Sequence, residues 1–347
     1  MISFLKNYLS TTGFIWAAYF FYHQSEYHMN FLQRNLSFFF SDFVLTTENI
    51  FLTIVLLYTV ILIPYYFMFS GKSKARIVLK YFLKVLWGYG NIPDEREKTA
   101  ILAWIVKLFF APLMIIWLTD HIFNLVNNIH GTWISYGSIR ENFISFFDNH
   151  FFWTAFSLIL FLDVFFFTMG YLIETPYLKN TIKSVEPTLL WWFVALICYP
   201  PFNSSLNSMV GWYSSDFPKF ENGFFHIFFA CLVLLLMGMY SWASVSLGWK
   251  ASNLTNRGIV TTGLYKYIRH PAYICKNTAW WIGGLPFLGA MLTQNNVSWF
   301  FVGLFSLCTW SGIYYLRAMT EEAHLSLDED YREYKKKVPY RFIPKIF

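Results

Sequence analysis

Long apolar runs recur along the whole chain, and no other feature of the sequence limits its fold so severely. They lie at roughly 50–69, 101–122, 151–173, 188–203, 224–249, 274–293 and 298–316, with a shorter one near 9–23. A helix needs about 20 apolar residues to cross the hydrocarbon core of a bilayer, and an isolated run cannot satisfy its backbone there in any other form. The expectation is an all-α fold, a polytopic membrane helix bundle of seven or eight transmembrane helices. Composition agrees, since 13% of the residues are charged, about half the share in a soluble domain. There is no repeat, low-complexity tract or Pro/Gly/Ser linker, which predicts one domain with its core inside the membrane.

Charge sets the expected orientation. Of the 26 Lys and Arg, 21 fall in the loops at 70–100, 174–187 and 250–273, in the two tails and at Lys6. Arg34, Arg140 and Lys219 occupy the opposite loops, and Lys107 and Lys276 lie in or at the mouth of spans. Positive residues stay on the cytoplasmic side, so both termini and the 250–273 loop are expected to be cytosolic, in a bacterial inner membrane or the endoplasmic reticulum. The net charge of +6 therefore reflects topology, and no nucleic-acid partner is expected. Cys198, Cys231, Cys275 and Cys308 form no CxxC pair and read as free thiols in or beside spans, with no metal site.

Several features concern the membrane itself. Residues 72–87 place Lys72, Arg76, Lys80 and Lys84 four apart, one cationic stripe on a helix. Like charges at that spacing repel, so an in-plane amphipathic helix against anionic inner-leaflet lipids is expected. Asp163, inside a span, must face protein or a water-filled cavity, as a lining group of a path or as a helix–helix hydrogen bond. Asp94 is placed to cap the next helix, with Glu95 and Glu97 in its first turn. Small residues in "GGLPFLG" at 283–289 allow close helix approach, and Pro286 is expected to kink the span.

Two polar segments remain on the cytosolic face. One is "RGIVTTGLYKYIRHPAY" at 257–273, and the other is the tail from Arg317 onward. Both leave neighbouring spans, so they are expected to lie together. In the tail, Arg317 and Glu321 share one helix face, Tyr331 and Tyr334 pair at i,i+3, Lys335–Lys337 suit a helix C-terminus, and Pro339 ends it. Irregular backbone such as 257–260 has free N–H and C=O groups for a nucleobase edge. His270 and Arg269 can hold a carboxylate, and Glu321 can complement an ammonium or sulfonium.

Order and spacing join these pieces. Val260, Gly263, Tyr265, Arg269, His270, Pro271 and Tyr273 carry the pattern V-x-x-G-x-Y-x-x-x-R-H-P-x-Y, and two spans later come R-x-x-x-E-E, Y-x-x-Y, a basic run and V-x-x-R-F-I-P. The last hundred or so residues resemble the integral-membrane methyltransferases related to isoprenylcysteine carboxyl methyltransferase, a group similar to the phospholipid N-methyltransferases. The resemblance implies S-adenosylmethionine as cofactor, held by Arg257, Gly258, Ile259, Val260, Tyr265, His270, Pro271, Ala272, Tyr273 and Glu321, to which the charge of Arg269 beside His270 adds a further cofactor contact. It places Arg317 at the substrate end and Glu322 as the assisting acid of the pair. The implied partner is a membrane lipid or lipidated substrate with a carboxylate, phosphate or amine head group. An anionic acceptor needs only a cation such as Arg317 to orient it, whereas an amine needs a base, for which Glu322 is the candidate.

The chain departs from the common tail pattern in three ways. It is about two residues shorter before Tyr331, has Asp328 where glycine is usual, and has His324 between the acids and the tyrosines. Residues 1–223 carry no part of the resemblance and are expected to build the lipid-side cavity, joined in one structural unit with the methyltransferase-like 224–347. Two alternatives come from other classes: an NADPH-dependent sterol-reductase-like oxidoreductase, and a non-catalytic, transporter-like membrane protein suggested by Asp163. Pro271–Ala272 and the Glu321–Glu322 pair favour the methyltransferase.

Overall fold

The computed structural model describes residues 2–42, 44–69 and 71–345. The chain is predominantly helical, with almost no sheet, and is an integral membrane protein. Among the described residues, five helices are long and apolar enough to cross a bilayer: Thr47–Met68, Glu95–Ile134, Phe143–Leu172, Gly223–Lys250 and Val297–Leu325. Two further expected spans are also helices, Ile2–Gln24 and Pro271–Thr293, each of 23 residues. The expected span at 188–203 is not one helix. Leu189–Leu196 ends before Pro200 and Pro201, and Phe202–Val210 follows separately, because proline cannot continue the backbone hydrogen bonding of the preceding turn.

Two compact units divide the chain, Met1–Asn127 with Ile182–Val185, and Asn128–Thr181 with Glu186–Phe347. In the first unit, the Asn7 side chain ties the opening helix to the next connection, donating to the Gly71 carbonyl (2.7 Å) and accepting from the Ser73 amide (3.2 Å). Asp94 caps as expected: its carboxylate accepts from the Glu97 amide (2.7 Å), and Glu97 accepts from the Asp94 amide (3.3 Å). This reciprocal pair satisfies two of the helix's orphan donors. The cationic stripe is less free than its spacing suggests. Arg76 reaches Ser3 Oγ (3.1 Å) and Lys84 pairs with Glu97 (3.1 Å). Ala75 and Val78 are buried while Phe82, Leu86 and Trp87 are exposed on the same segment, so its apolar side is only partly covered within the chain.

In the second unit, the helices Phe152–Leu172, Gly223–Leu247, Pro271–Thr293 and Val297–Leu325 pack in series. The core holds Phe152, Phe156, Phe217, Val233, Met237 and Ile282. Asp163 accepts hydrogen bonds from Tyr240 Oη (2.7 Å) and from Ser244 Oγ. These contacts tie two helices together, so the second of its two readings accounts for it. Gly283 supplies the close approach expected of "GGLPFLG": its carbonyl accepts from the Ser215 amide (3.1 Å), and a Cβ there would overlap the Ser215 carbonyl. Gly283→Ala is therefore expected to cost about 1–3 kcal/mol through overpacking. A thermal-shift measurement on the detergent-solubilised protein checks it, with Gly289→Ala, where no atom lies nearby, as the neutral comparison.

Candidate functional site

The loop at 251–270 and the tail are joined through backbone as well as side chains. The amides of Arg269 and His270 donate to the carbonyls of Tyr340 and Arg341, each at 3.0 Å, so the chain after Pro339 is strapped along the start of the Pro271–Thr293 helix. Pro271 opens that helix, a position where its missing N–H costs nothing. Gly263 lies at φ 61°, and a side chain there would meet Ser246. Only glycine makes this turn without strain.

Glu322 is the hub beneath the strap. Its carboxylate accepts from Arg269 Nε (2.8 Å) and Nη2 (3.4 Å) and from Arg341 Nε (3.0 Å) and Nη2 (3.2 Å). It lies 3.1 Å from His270 Nε2 and 3.4 Å from Lys335 Nζ. Arg269 also donates from Nη1 to the carbonyls of Val338 (2.8 Å) and Pro339 (2.5 Å). Glu322, Arg269 and His270 are all buried. The hydrogen bonds to Glu322 push the Arg341 guanidinium above its usual range. A carboxylate held by so many donors keeps its charge and takes up a proton poorly.

Two of the expected site residues are engaged within this cluster. Arg269, expected to hold a ligand carboxylate, spends its guanidinium on Glu322 and the tail. Glu322, expected as the assisting acid or base, sits in the ion cluster and does not line the neighbouring cleft. Tyr265 also serves the docking: its carbonyl accepts from Tyr334 Oη (2.6 Å), and its ring packs with Ile259 and Leu325 around Tyr331, Tyr334 and Val338. Asp328, where glycine is usual, caps the Glu329–Lys337 helix by accepting from the Asp330 amide (3.0 Å) and accepts from Asn256 Nδ2 (2.8 Å). Asn256 Oδ1 in turn takes the Gly258 amide (2.8 Å). The substitution thus ties the tail to the 257–260 turn.

A cleft of about 480 Å³, counting its open mouth, lies beside this cluster. Of the expected residues, Tyr273, Arg317 and Glu321 line it. Glu321 accepts from Tyr273 Oη (2.8 Å) and lies 3.8 Å from His270 Nδ1, and the His270 and Tyr273 rings stack at 5.4 Å and 6°. Arg317 is buried, donates from Nη2 to Asn253 Oδ1 (2.8 Å) and has its guanidinium 5.2–5.7 Å from the rings of Tyr314, Tyr273 and Tyr199. Planar guanidinium over aromatic faces holds charge where water is scarce.

Gly258, Ile259, Val260, Pro271 and Ala272 lie on the turn and helix start outside the cleft wall. Arg257 is buried, donating from Nη1 to the Asn180 carbonyl (3.2 Å), and burial draws its guanidinium below the usual range. The sequence motifs did not point to Glu186, Asn253 or Tyr199. Asn253 lies four residues before the turn and Glu186 about seventy before it, and neither has a spacing that marks it. The cleft therefore combines carboxylates, a caged cation and ring faces, the groups suited to a ligand that carries both a cation and an anion.

Residues 220–338 match the family described as "Protein of unknown function (DUF1295)". Over 135 residues the chain is 34% identical to the Protein-S-isoprenylcysteine O-methyltransferase of Schizosaccharomyces pombe, covering 35% of this chain and 53% of the relative. The chain thus spans about half the length of the curated relative it matches. No solved structure matches it. The family match covers the segment from Val260 to Tyr273 and the tail from Arg317 to Val338, and stops before Arg341, Phe342, Ile343 and Pro344. This chain is accordingly similar over about a third of its length to an isoprenylcysteine O-methyltransferase, the group that its C-terminal motifs resemble.

Proposed function

We propose that the protein is an S-adenosylmethionine-dependent methyltransferase acting on a membrane lipid or lipidated substrate at the cytosolic face. The observation that carries this reading is the meeting of His270 and Tyr273 with Glu321 at a cleft that also holds Arg317. The residues present suit the cofactor: carboxylate and ring faces for its positive groups, the backbone of Ser252 to Thr255 in the cleft wall for its nucleoside, and a caged guanidinium beside them. When bound, S-adenosylmethionine supplies a methyl group on a positively charged sulfur.

The chain's own contribution is positioning and exclusion of water. Glu321 complements positive charge and holds the Tyr273 hydroxyl in place. Arg317, kept rigid by Asn253 and three tyrosines, orients an anionic acceptor. Glu322 keeps the tail strapped over the His270 loop. Arg317→Lys keeps the charge but loses the planar fork and its ring contacts. It is expected to raise the acceptor KM about tenfold, with a smaller change in kcat, measured with acceptor varied at saturating cofactor.

The Lys74–Leu86 helix, with Lys80 facing solvent beside exposed Phe82 and Leu86, is proposed to rest on anionic inner-leaflet lipid. Membranes containing the protein, supplied with methyl-labelled S-adenosylmethionine, test the function: label is expected in the lipid extract or on a lipidated protein. Label in neither fraction, from protein that binds the cofactor, overturns the substrate class.

A further inference from the structure

Glu186 is a buried acid that neither the motifs nor the tail cluster explains. It is 2% exposed and stands at the start of the second part of its unit. One carboxylate oxygen, Oε1, accepts from the Thr188 amide (2.8 Å), and its own carbonyl accepts from Trp192 Nε1 (2.7 Å). These contacts fix the residue in place. The other oxygen, Oε2, is buried and has no hydrogen-bond partner, although the residue lines the cleft with Tyr273, Arg317, Glu321 and His324. An acceptor withdrawn from water without a donor is costly, and buried carboxylates are normally paired.

The cleft does not supply the missing donor. Arg317 Nη2 is spent on Asn253, and its guanidinium lies against tyrosine rings. Both Glu186 and Glu321 act electrostatically on His324, so one region of the cleft carries two acids. A neutral hydroxyl would satisfy the oxygen but leave that charge uncompensated. A ligand N–H cation satisfies both requirements, with a charge-assisted hydrogen bond about twice as strong as a neutral one.

We propose that Glu186 is the receptor for a ligand ammonium group in this cleft. The inference rests on the methyltransferase reading. The ammonium has two possible sources: the amino-acid portion of the methyl donor, or an amine head group on the lipid acceptor. They share one chemistry, and ligand pairs separate them.

Glu186→Gln preserves size and the contact to Thr188 while removing charge. Binding to the full-length protein in detergent is measured for S-adenosylhomocysteine against 5′-methylthioadenosine, which lacks the amino acid. It is then measured for short-chain phosphatidylethanolamine against phosphatidic acid, which lacks the amine. The expected result is a loss of about tenfold or more for the amine-bearing member of one pair, with its amine-free partner unchanged. The pair that responds identifies the source, and the unchanged partner shows that the cleft is intact. Unchanged affinities in both pairs, or equal losses within each pair, overturn the proposal. If the unsubstituted protein binds neither nucleoside, the methyltransferase reading falls, while the lipid pair still decides whether Glu186 reads an amine.

Discussion

Glu322→Ala is expected to release the tail. The substitution leaves Arg269 and His270, both buried, without their common anion, and removes both hydrogen bonds of the Arg341 guanidinium to Glu322. Removing one partner of a buried pair typically costs about 3–5 kcal/mol, because the remaining charge is neither solvated nor neutralised. Lys335 is half-exposed and adds little. The measurable consequence is proteolytic. Lys335, Lys336 and Lys337 lie in the docked segment, so limited trypsin digestion should cleave there much faster in the variant than in the parent. Glu322→Gln, which keeps acceptor oxygen but not charge, should fall between them. Equal digestion of all three would show that the strap does not depend on the ion cluster.

The second large effect concerns Glu321. Half-exposed at the cleft, it contributes little to folding, yet it holds the Tyr273 hydroxyl and faces His270. Glu321→Ala should leave thermal stability and tail digestion near those of the parent while lowering methyl transfer about 100-fold, the scale expected when reacting groups lose their alignment. Tyr273→Phe, which removes only the hydroxyl that Glu321 holds, should give a smaller loss in the same direction. The two acids are adjacent in sequence, but one anchors the tail and the other faces the ligand. A variant pair that lost stability at Glu321 and only activity at Glu322 would reverse that assignment.

The sequence was informative where local physics decides the outcome. Apolar length announced the helices, Asp94 announced its cap, and the glycines at 283 and 284 announced a close approach. The order of motifs indicated that the 257–273 loop and the tail meet. The break in the stretch at 188–203 was missed, because apolar length outweighed Pro200 and Pro201 in reading it as one span. Roles within the cluster were not legible. Whether Arg269 faces a ligand or the carbonyls of Val338 and Pro339 depends on how the tail returns, and spacing carries no information about that. Glu186 was hidden for the same reason: its free oxygen matters only because other segments close around it.

The proposed function requires that the His270 loop and the Glu321 helix form one site for a sulfonium nucleoside. Calorimetric titration of the purified full-length protein with S-adenosylmethionine, and separately with NADPH, tests it most directly. Saturable binding of S-adenosylmethionine, weakened by Glu321→Ala, with no binding of NADPH, is the predicted result. Binding of NADPH alone, or binding of S-adenosylmethionine that Glu321→Ala leaves untouched, would contradict it.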